Sequence, residues 1–288
     1  MTIKIQEALL RSIIKKKLIE AQVAATGELQ GVVYGSKGSL NRGGSGSNKK
    51  GEDEDFGSLQ GIPLEKIPIS GAGQNAAGLL SLLQGKGEKK ESDRIAIVTA
   101  VHMPIYDACK GSGSFKKDVK ESGGKTLFNF YKDELASKAW SAWFLNRCYL
   151  DTPAENFIIK HSNGFGHAGC CYPYLSAMKN RLELIKNPNS KKGQEIVILA
   201  SRAEVQSLGG FTDGDASVVG QGGAAPTLGF IANQGKLSSG SAHMNVKSGG
   251  KWIGGNLSDT VKSAGDDTKK ANAFMIMVKV SSASSSDK

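Results

Sequence analysis

The sequence lacks most of the features that mark a membrane protein or a common hydrolase. None of its apolar runs approaches the length of a transmembrane helix. It contains no nucleophile elbow, no complete phosphate-binding loop with a Gly-Lys-Ser/Thr ending, and no HExxH zinc motif. No secretory leader is evident, because Lys15–Lys17 interrupt the apolar run near the N-terminus. These absences predict a cytoplasmic protein that has no membrane contact and no catalytic residues.

Cysteine is scarce as well, and its spacing does not suit a metal or a disulfide framework. The four cysteines are Cys109, Cys148, Cys170 and Cys171. No CxxC pair occurs among them, and a chain of this length does not need disulfides to fold. His167 lies close to Cys170 and Cys171, but the stretch HAGCC supplies one ligand pair where a structural zinc site needs two. No metal site and no cofactor are predicted, and an enzyme that uses these three residues is kept only as an alternative.

The pair of aspartates in the stretch TDGD also has a simpler interpretation than metal binding. Asp213 and Asp215 are spaced like calcium ligands, but the later glutamate of a calcium-binding loop is missing. The stretch therefore predicts an ordinary turn.

What the sequence has in excess is positive charge. The chain has 288 residues, with 37 Lys and Arg against 27 Asp and Glu, and a formal net charge of +10. Residues 1–50 contain nine basic and three acidic residues, so more than half of the net charge lies in the first sixth of the chain. Such a surplus attracts phosphate backbones and favours a polyanionic partner.

Apolar periodicity predicts an α/β (α+β) protein. Hydrophobic residues make up 39% of the chain, which is enough for a core. Residues spaced three or four apart predict helices over 3–24, Thr126–Cys148 and Tyr172–Lys186. Short β-branched or apolar runs predict the strands Leu29–Tyr34, Arg94–Met103, Asn156–His161, Glu195–Ala200 and Ala273–Val280.

Long glycine-rich segments separate these elements within a single predicted domain, 1–288. Residues 58–93 are predicted to be rich in loops, and a flexible tail is predicted over 281–288. The inserted loops are predicted over 35–57, 110–125 and 207–270. Because loops of this length are uncommon unless they are functional or disordered, they are the first place to look for a binding surface.

Basic residues among glycines are the candidate ligands of a polyanion. Glycine lets the backbone approach a phosphate closely, and a neighbouring Lys or Arg neutralises its charge. Lys247 and Lys251 flank Gly249–Gly250 and precede Trp252, an aromatic residue that could stack on a base. The further candidates in glycine-rich loops are Lys37, Arg42, Lys116 and Lys117.

Residues 131–164 resemble a known family. They read YKDELASKAWSAWFLNR, a short break, and then NFIIKHSNG. This is similar to the RNA-binding backbone subunit that is repeated in class 1 CRISPR effector complexes, particularly those of type I-F. Trp143–Arg147 occupy the aromatic-Leu-Trp-Arg-Asn-like stretch of that family, although the Trp-Arg-Asn order is not kept.

The resemblance implies an RRM/ferredoxin-like core with long glycine-rich insertions and no enzymatic activity. Copies of the chain would assemble into a filament along a guide RNA, together with other subunits of a ribonucleoprotein complex. Arg147 and Lys160 join the candidates for contacts with the RNA backbone. A self-assembling structural protein, such as a viral or phage coat or a secretion-tube subunit, is the alternative, because glycine- and serine-rich loops also suit assembly.

Overall fold

An antiparallel sheet with helices packed against it forms the core of the protein. The computed structural model describes residues 58–87, 89–109, 140–157, 168–220, 242–257, 260–271 and 273–281. All of them lie in one compact unit, Gly51–Lys288. The coarse prediction of a mixed α+β protein is therefore confirmed.

The sheet has seven described strands. In chain order they are β1 (Leu64–Ile67), β2 (Glu195–Ala200), β3 (Ala216–Gly220), β4 (Ala242–Ser248), β5 (Lys251–Gly254), β6 (Lys262–Ser263) and β7 (Ala273–Val280). The described helices are α1 (Ala72–Leu83), α2 (Glu91–Ile97), α3 (Met103–Cys109), α4 (Ser141–Tyr149), α5 (Ala168–Lys186) and α6 (Arg202–Ser207). A π-helical segment, Val98–His102, joins α2 to α3, and a 3-10 helix, Gly265–Lys270, precedes β7. None of these helices is long and apolar enough to cross a bilayer.

Strand β7 lies at the centre of the sheet. Its whole length apart from Lys279 is buried. On one side it pairs with β2, and on the other it pairs first with β3 and then with β1. Strands β4, β5 and β6 extend the sheet beyond β3, with every pairing antiparallel. Because β7 has neighbours on both edges and apolar layers on both faces, it is a nearly continuous apolar run.

Alternate residues of β7 enter two hydrophobic layers. Met275 and Met277 face one layer, which also contains buried side chains of α1, α4 and the π-helical segment. Phe274, Ile276 and Val278 face the other layer. We call these the helix face and the outer face of the sheet.

Helix α5 covers the edge of β2, which pairs only with β7 in the described sheet. Asn180 Nδ2 donates to the Val197 carbonyl at 2.8 Å, and Arg181 Nη1 donates to the Leu199 carbonyl at 3.1 Å. Arg181 also makes two 2.8 Å bonds to the carboxylate of Glu204, at the start of α6. These side chains satisfy carbonyls that would otherwise offer the strand edge to another chain.

The prediction of a strand over Arg94–Met103 is wrong, because this stretch is helical. Its fully buried apolar residues are Ile97, Val98 and Val101, followed by Ile105, whereas Ile95 is 41% exposed. That spacing is the stripe of a helix that packs on one face. The local content of β-branched residues favoured a strand, but helical packing against the sheet decides the structure.

Three further predictions are wrong in the described residues. The loop-rich segment 58–93 contains β1, α1 and the first residues of α2, and the predicted loop 207–270 contains strands β3 to β6. These strands are short and rich in Gly, Ser and Asn, so their apolar signal is weak. Asn156 and Phe157 are helical, which contradicts the strand predicted from Asn156.

Other predictions are confirmed or fall outside the described residues. Strands Glu195–Ala200 and Ala273–Val280 have the predicted bounds, and Tyr172–Lys186 lies within α5. Of the helix predicted over Thr126–Cys148, the described part is helical from Ser141. The predicted helix 3–24, strand Leu29–Tyr34, loops 35–57 and 110–125, and most of the tail lie outside the described residues.

Candidate nucleic-acid interface

Strands β4 and β5 form a tight hairpin around Gly249–Gly250. Both glycines have positive φ, +53° and +77°, as the two central residues of a type I′ turn require. The turn sets the register, so that Lys247 lies opposite Trp252 and Ser248 opposite Lys251. The two glycines are therefore explained by the turn itself, without a phosphate.

Three aromatic side chains cluster on the outer face beside this hairpin. The ring centroids of Trp252 and Phe211 are 5.5 Å apart in an edge-to-face arrangement, and those of Phe211 and Phe274 are 4.7 Å apart. Trp252 also contacts Phe274, at 6.1 Å. Phe274 is fully buried, whereas Phe211 and Trp252 are half-buried. The cluster thus has a buried base and two rings that reach solvent.

Two cations lie against these rings. Lys247 Nζ is 5.5 Å from the centroid of Trp252. The Arg202 guanidinium carbon is 4.8 Å from the centroid of Phe274 and 5.6 Å from that of Phe211. Arg202 is exposed, and its Nη2 donates to the Thr268 carbonyl at 2.9 Å, which fixes the guanidinium in place. We call Arg202, Phe211, Trp252, Phe274 and Lys247 the cation–aromatic strip.

The TDGD turn, Thr212–Asp215, is joined to the hairpin by hydrogen bonds. Both carboxylate oxygens of Asp213 accept from the Gly249 amide, at 3.0 and 3.1 Å. The Lys247 amide donates to the Asp215 carbonyl at 2.8 Å, and the Lys247 carbonyl accepts from the Gly214 amide at 2.9 Å. The stretch predicted to be an ordinary turn therefore anchors the basic hairpin.

A buried ion pair underlies this turn. Lys66 Nζ lies 2.8 Å from Asp215 Oδ2 and donates to Thr212 Oγ1 at 2.7 Å. Burial raises the pKa of the Asp215 carboxyl, against the opposing effect of the hydrogen bonds from Lys66 and Thr212. Burial and the nearby Asp215 also raise the pKa of Tyr149, whose hydroxyl donates to the Gly214 carbonyl at 3.1 Å.

The structure brings two of the predicted site residues together and separates a third. Lys247 and Trp252 are cross-strand partners on the outer face. Lys251 is exposed, but it alternates with Trp252 along β5 and shares the orientation of Ile253, which faces the helix side. Lys251 therefore lies at the tip of the hairpin and is not part of the strip, and its contact with a polyanion stays a prediction.

Arg147 lies on α4, whose buried residues belong to the helix face of the sheet, opposite to the strip. Its Nε donates to the Ala100 carbonyl at 3.0 Å, within the π-helical segment. Widened helical turns of this kind leave backbone groups that need outside partners, and Arg147 supplies one. The neighbouring residues Trp143, Phe144 and Leu145 are core residues, 3% exposed or less. The predicted contact of Arg147 with a phosphate stays a prediction.

The remaining predicted residues cannot be placed in this surface. Lys37, Arg42, Lys116, Lys117 and Lys160 lie outside the described residues, as does His167. Cys170 and Cys171 are in the first turns of α5. Within the described ranges, no group of three or more His, Cys, Asp or Glu side chains is arranged to hold a metal ion.

Three members of the strip, Arg202, Phe211 and Phe274, were not predicted as site residues from the sequence. Arg202 and Phe274 lie beside or within apolar strands, and Phe211 follows Gly209–Gly210 with no Lys or Arg nearby in the sequence, so none of them is a basic or aromatic residue in a glycine- and lysine-rich stretch. Only the folded sheet brings them beside Trp252. No family model, curated protein or solved structure matches this chain.

Proposed function

We propose that the protein is a non-enzymatic RNA-binding subunit of a ribonucleoprotein complex and that the cation–aromatic strip is part of its RNA-binding surface. The observation that supports this most is the pairing of half-buried rings with Lys247 and Arg202 on one face of the sheet. An aromatic face accepts any base, and a nearby cation neutralises the adjoining phosphate. The net charge of +10 supplies the long-range attraction that such a surface needs.

The architecture proposed for the complex follows from the resemblance of residues 131–164 to the CRISPR backbone subunit. Copies of the chain would repeat along a guide RNA and contact other subunits. An RRM-like core is part of this proposal, because an antiparallel sheet with aromatic residues on one face is the arrangement through which RRM domains bind RNA. The described sheet has more strands than an RRM, and the additional ones would belong to the insertions.

A direct binding measurement at low salt tests the proposal. Fluorescence anisotropy with a labelled single-stranded RNA should show binding that weakens as salt is added, because cations bound to the RNA are released. Arg202→Ala combined with Lys247→Ala should weaken binding about tenfold, a difference of roughly 1.4 kcal/mol. Lys89→Ala combined with Lys192→Ala removes two exposed lysines outside the strip, so it is the control matched in charge and should bind like the natural protein.

Two results would contradict the proposal. If the natural protein does not bind RNA at low salt, the proposed function is wrong. Equal losses in the control and in the variant of Arg202 and Lys247 would show that charge alone matters and that the strip is not the surface. The repeated assembly is tested separately, by electron microscopy of the protein with long RNA: discrete single copies on the RNA would contradict it.

A further inference from the structure

One tryptophan is placed differently from the other two. Trp140 is fully buried and Trp143 is 3% exposed, and both belong to the core on the helix face. Trp252 is half-buried on the outer face, at the edge of a cluster whose base is Phe274. A ligand on this surface would therefore meet a single indole ring.

The ring of Trp252 is already occupied by a cation. The ammonium of Lys247 lies over it at 5.5 Å, while Phe211 and Phe274 contact it within the protein. An ammonium over an exposed ring binds weakly, and a stacked base binds the same ring more strongly. Lys247 loses little by leaving the ring, because the phosphate of the incoming nucleotide offers a charge-assisted bond.

The second cation of the strip is fixed rather than exchangeable. The guanidinium of Arg202 lies 4.8 Å from the ring of Phe274 and is tied to the Thr268 carbonyl. It can receive a neighbouring phosphate without leaving its position. One movable cation on Trp252 and one fixed cation on the neighbouring phenylalanine rings suit a nucleotide whose base is free to leave its own stack.

We infer that the strip selects nucleic acid with unpaired bases, and that a base replaces the ammonium of Lys247 on the ring of Trp252 while the ammonium moves to the phosphate. This inference rests on the proposed function and adds the class of ligand. In a duplex the bases are stacked on each other, so a duplex offers the strip phosphates and sugar hydroxyls but no free base face. Single strands should therefore bind more tightly than duplexes of the same length.

The fluorescence of Trp252 is the readout that separates stacking from charge. The probes are single-stranded oligouridine, an RNA duplex of equal length, and inorganic polyphosphate as a polyanion without bases. Oligouridine should quench the tryptophan emission, whereas duplex and polyphosphate should leave it nearly unchanged. Trp252→Leu should abolish the quenching and weaken oligouridine binding by about 5- to 150-fold, with little effect on polyphosphate.

Two further variants keep the test decisive. Trp252→Phe preserves an aromatic side chain in the cluster, so it replaces the leucine variant if circular dichroism shows that the leucine variant is misfolded. The Trp252→Phe variant should keep most of the affinity for oligouridine and lose the quenching. Lys247→Met keeps the ring and removes the charge, so the emission of the free protein should change. Its slope of binding against salt should also fall by about 0.7 for single strands.

The outcomes distinguish the two proposals. If the natural protein binds oligouridine and duplex equally and its tryptophan emission does not change, the inference is wrong and the RNA-binding function stands. If it binds no RNA at all, the proposed function fails. Quenching that persists in the Trp252 variants would overturn the inference as well, because the signal would then come from a core tryptophan.

Discussion

The ammonium of Lys66 lies 2.8 Å from the carboxylate of Asp215, and this ion pair joins two strands that pair with successive parts of a third. Strand β1 ends with Ile67 opposite Met277, and β3 begins with Ala216 opposite Met275. The ion pair thus lies where one strand ends and the other begins along the same edge of β7. The carbonyl of Asp215 also accepts a hydrogen bond from the Lys247 amide, which connects the ion pair to the hairpin.

We expect Lys66→Met to destabilise the protein strongly. The side chain of Lys66 is 4% exposed and that of Asp215 is 0% exposed, so the substitution leaves a buried carboxylate without its cation. Removing one partner of a buried pair costs about 3–5 kcal/mol. The free energy of unfolding, measured by urea denaturation, should fall by roughly that amount.

Lys86→Met is the matched control for this prediction. Its ammonium lies 3.9 Å from Asp93, but the Lys86 side chain is 49% exposed. A pair of this kind contributes about 1 kcal/mol or less. Similar losses in the two variants would show that Lys66 does not act through a buried charge. The double variant Lys66→Met with Asp215→Leu should lose less than Lys66→Met alone, because no unpaired charge remains.

Asp213→Ala should loosen the tip of the hairpin. The carboxylate of Asp213 holds the Gly249 amide, and an exposed hydrogen bond to a charged group stabilises by about 1 kcal/mol. Exchange of the Gly249 amide with solvent, followed by NMR, should therefore become about fivefold faster. Asp213→Asn retains an acceptor and should restore most of the protection. If the Gly249 amide exchanges in both variants as slowly as in the natural protein, the hydrogen bond to Asp213 does not stabilise the turn.

The sequence predicts a strand correctly where the strand is buried on both faces of the sheet. Apart from Glu195 and Lys279, strands Glu195–Ala200 and Ala273–Val280 are continuous apolar runs, because packing on both faces requires apolar side chains on both. The helix at Val98 and Val101 shows the opposite case. Its residues prefer strands locally, and the helical stripe becomes clear only when Ile105 is included.

The candidate site is predictable only in part, for a related reason. A Gly-Gly pair in a two-residue turn places Lys247 opposite Trp252, so local turn chemistry identifies two of the five residues of the strip. Arg202 and Phe211 are distant in sequence from that hairpin. They reach it because β3 and β7 pair within the sheet, and no local pattern encodes such a pairing.

Two glycine substitutions should change stability in opposite directions. A Cβ at Gly255 would lie 2.5 Å from Phe144 Cβ and 2.6 Å from Trp140 Cζ3, both in the core. Gly255→Ala should therefore destabilise by about 1–3 kcal/mol, the usual cost of overpacking. Gly78 is exposed within α1, and nothing lies within 4 Å of an added Cβ. Gly78→Ala should stabilise by up to about 1 kcal/mol. Thermal denaturation of the two variants tests the packing at Gly255, and equal shifts would contradict it.

Stability should fall with pH in mildly acidic solution because of His102. This side chain is fully buried, with its ring centroid 5.6 Å from that of Trp143. Burial lowers the pKa of His102 from 6.5 to about 3. Below the unfolded pKa, the unfolded chain binds a proton that the folded protein does not, so the contribution is present above pH 6.5 and is lost as the pH falls towards 3. Between about pH 7 and pH 5.5 the free energy of unfolding should decrease by about 1 kcal/mol through this group.

His102→Phe isolates this contribution, because an aromatic ring remains beside Trp143 and the titrating group is gone. The other histidines are present in both proteins, so their effect cancels in the difference between the two urea-denaturation series. The natural protein should lose about 1 kcal/mol more than the variant over this pH range. Parallel pH profiles would contradict the prediction, because they would mean that His102 binds protons alike in the folded and unfolded protein.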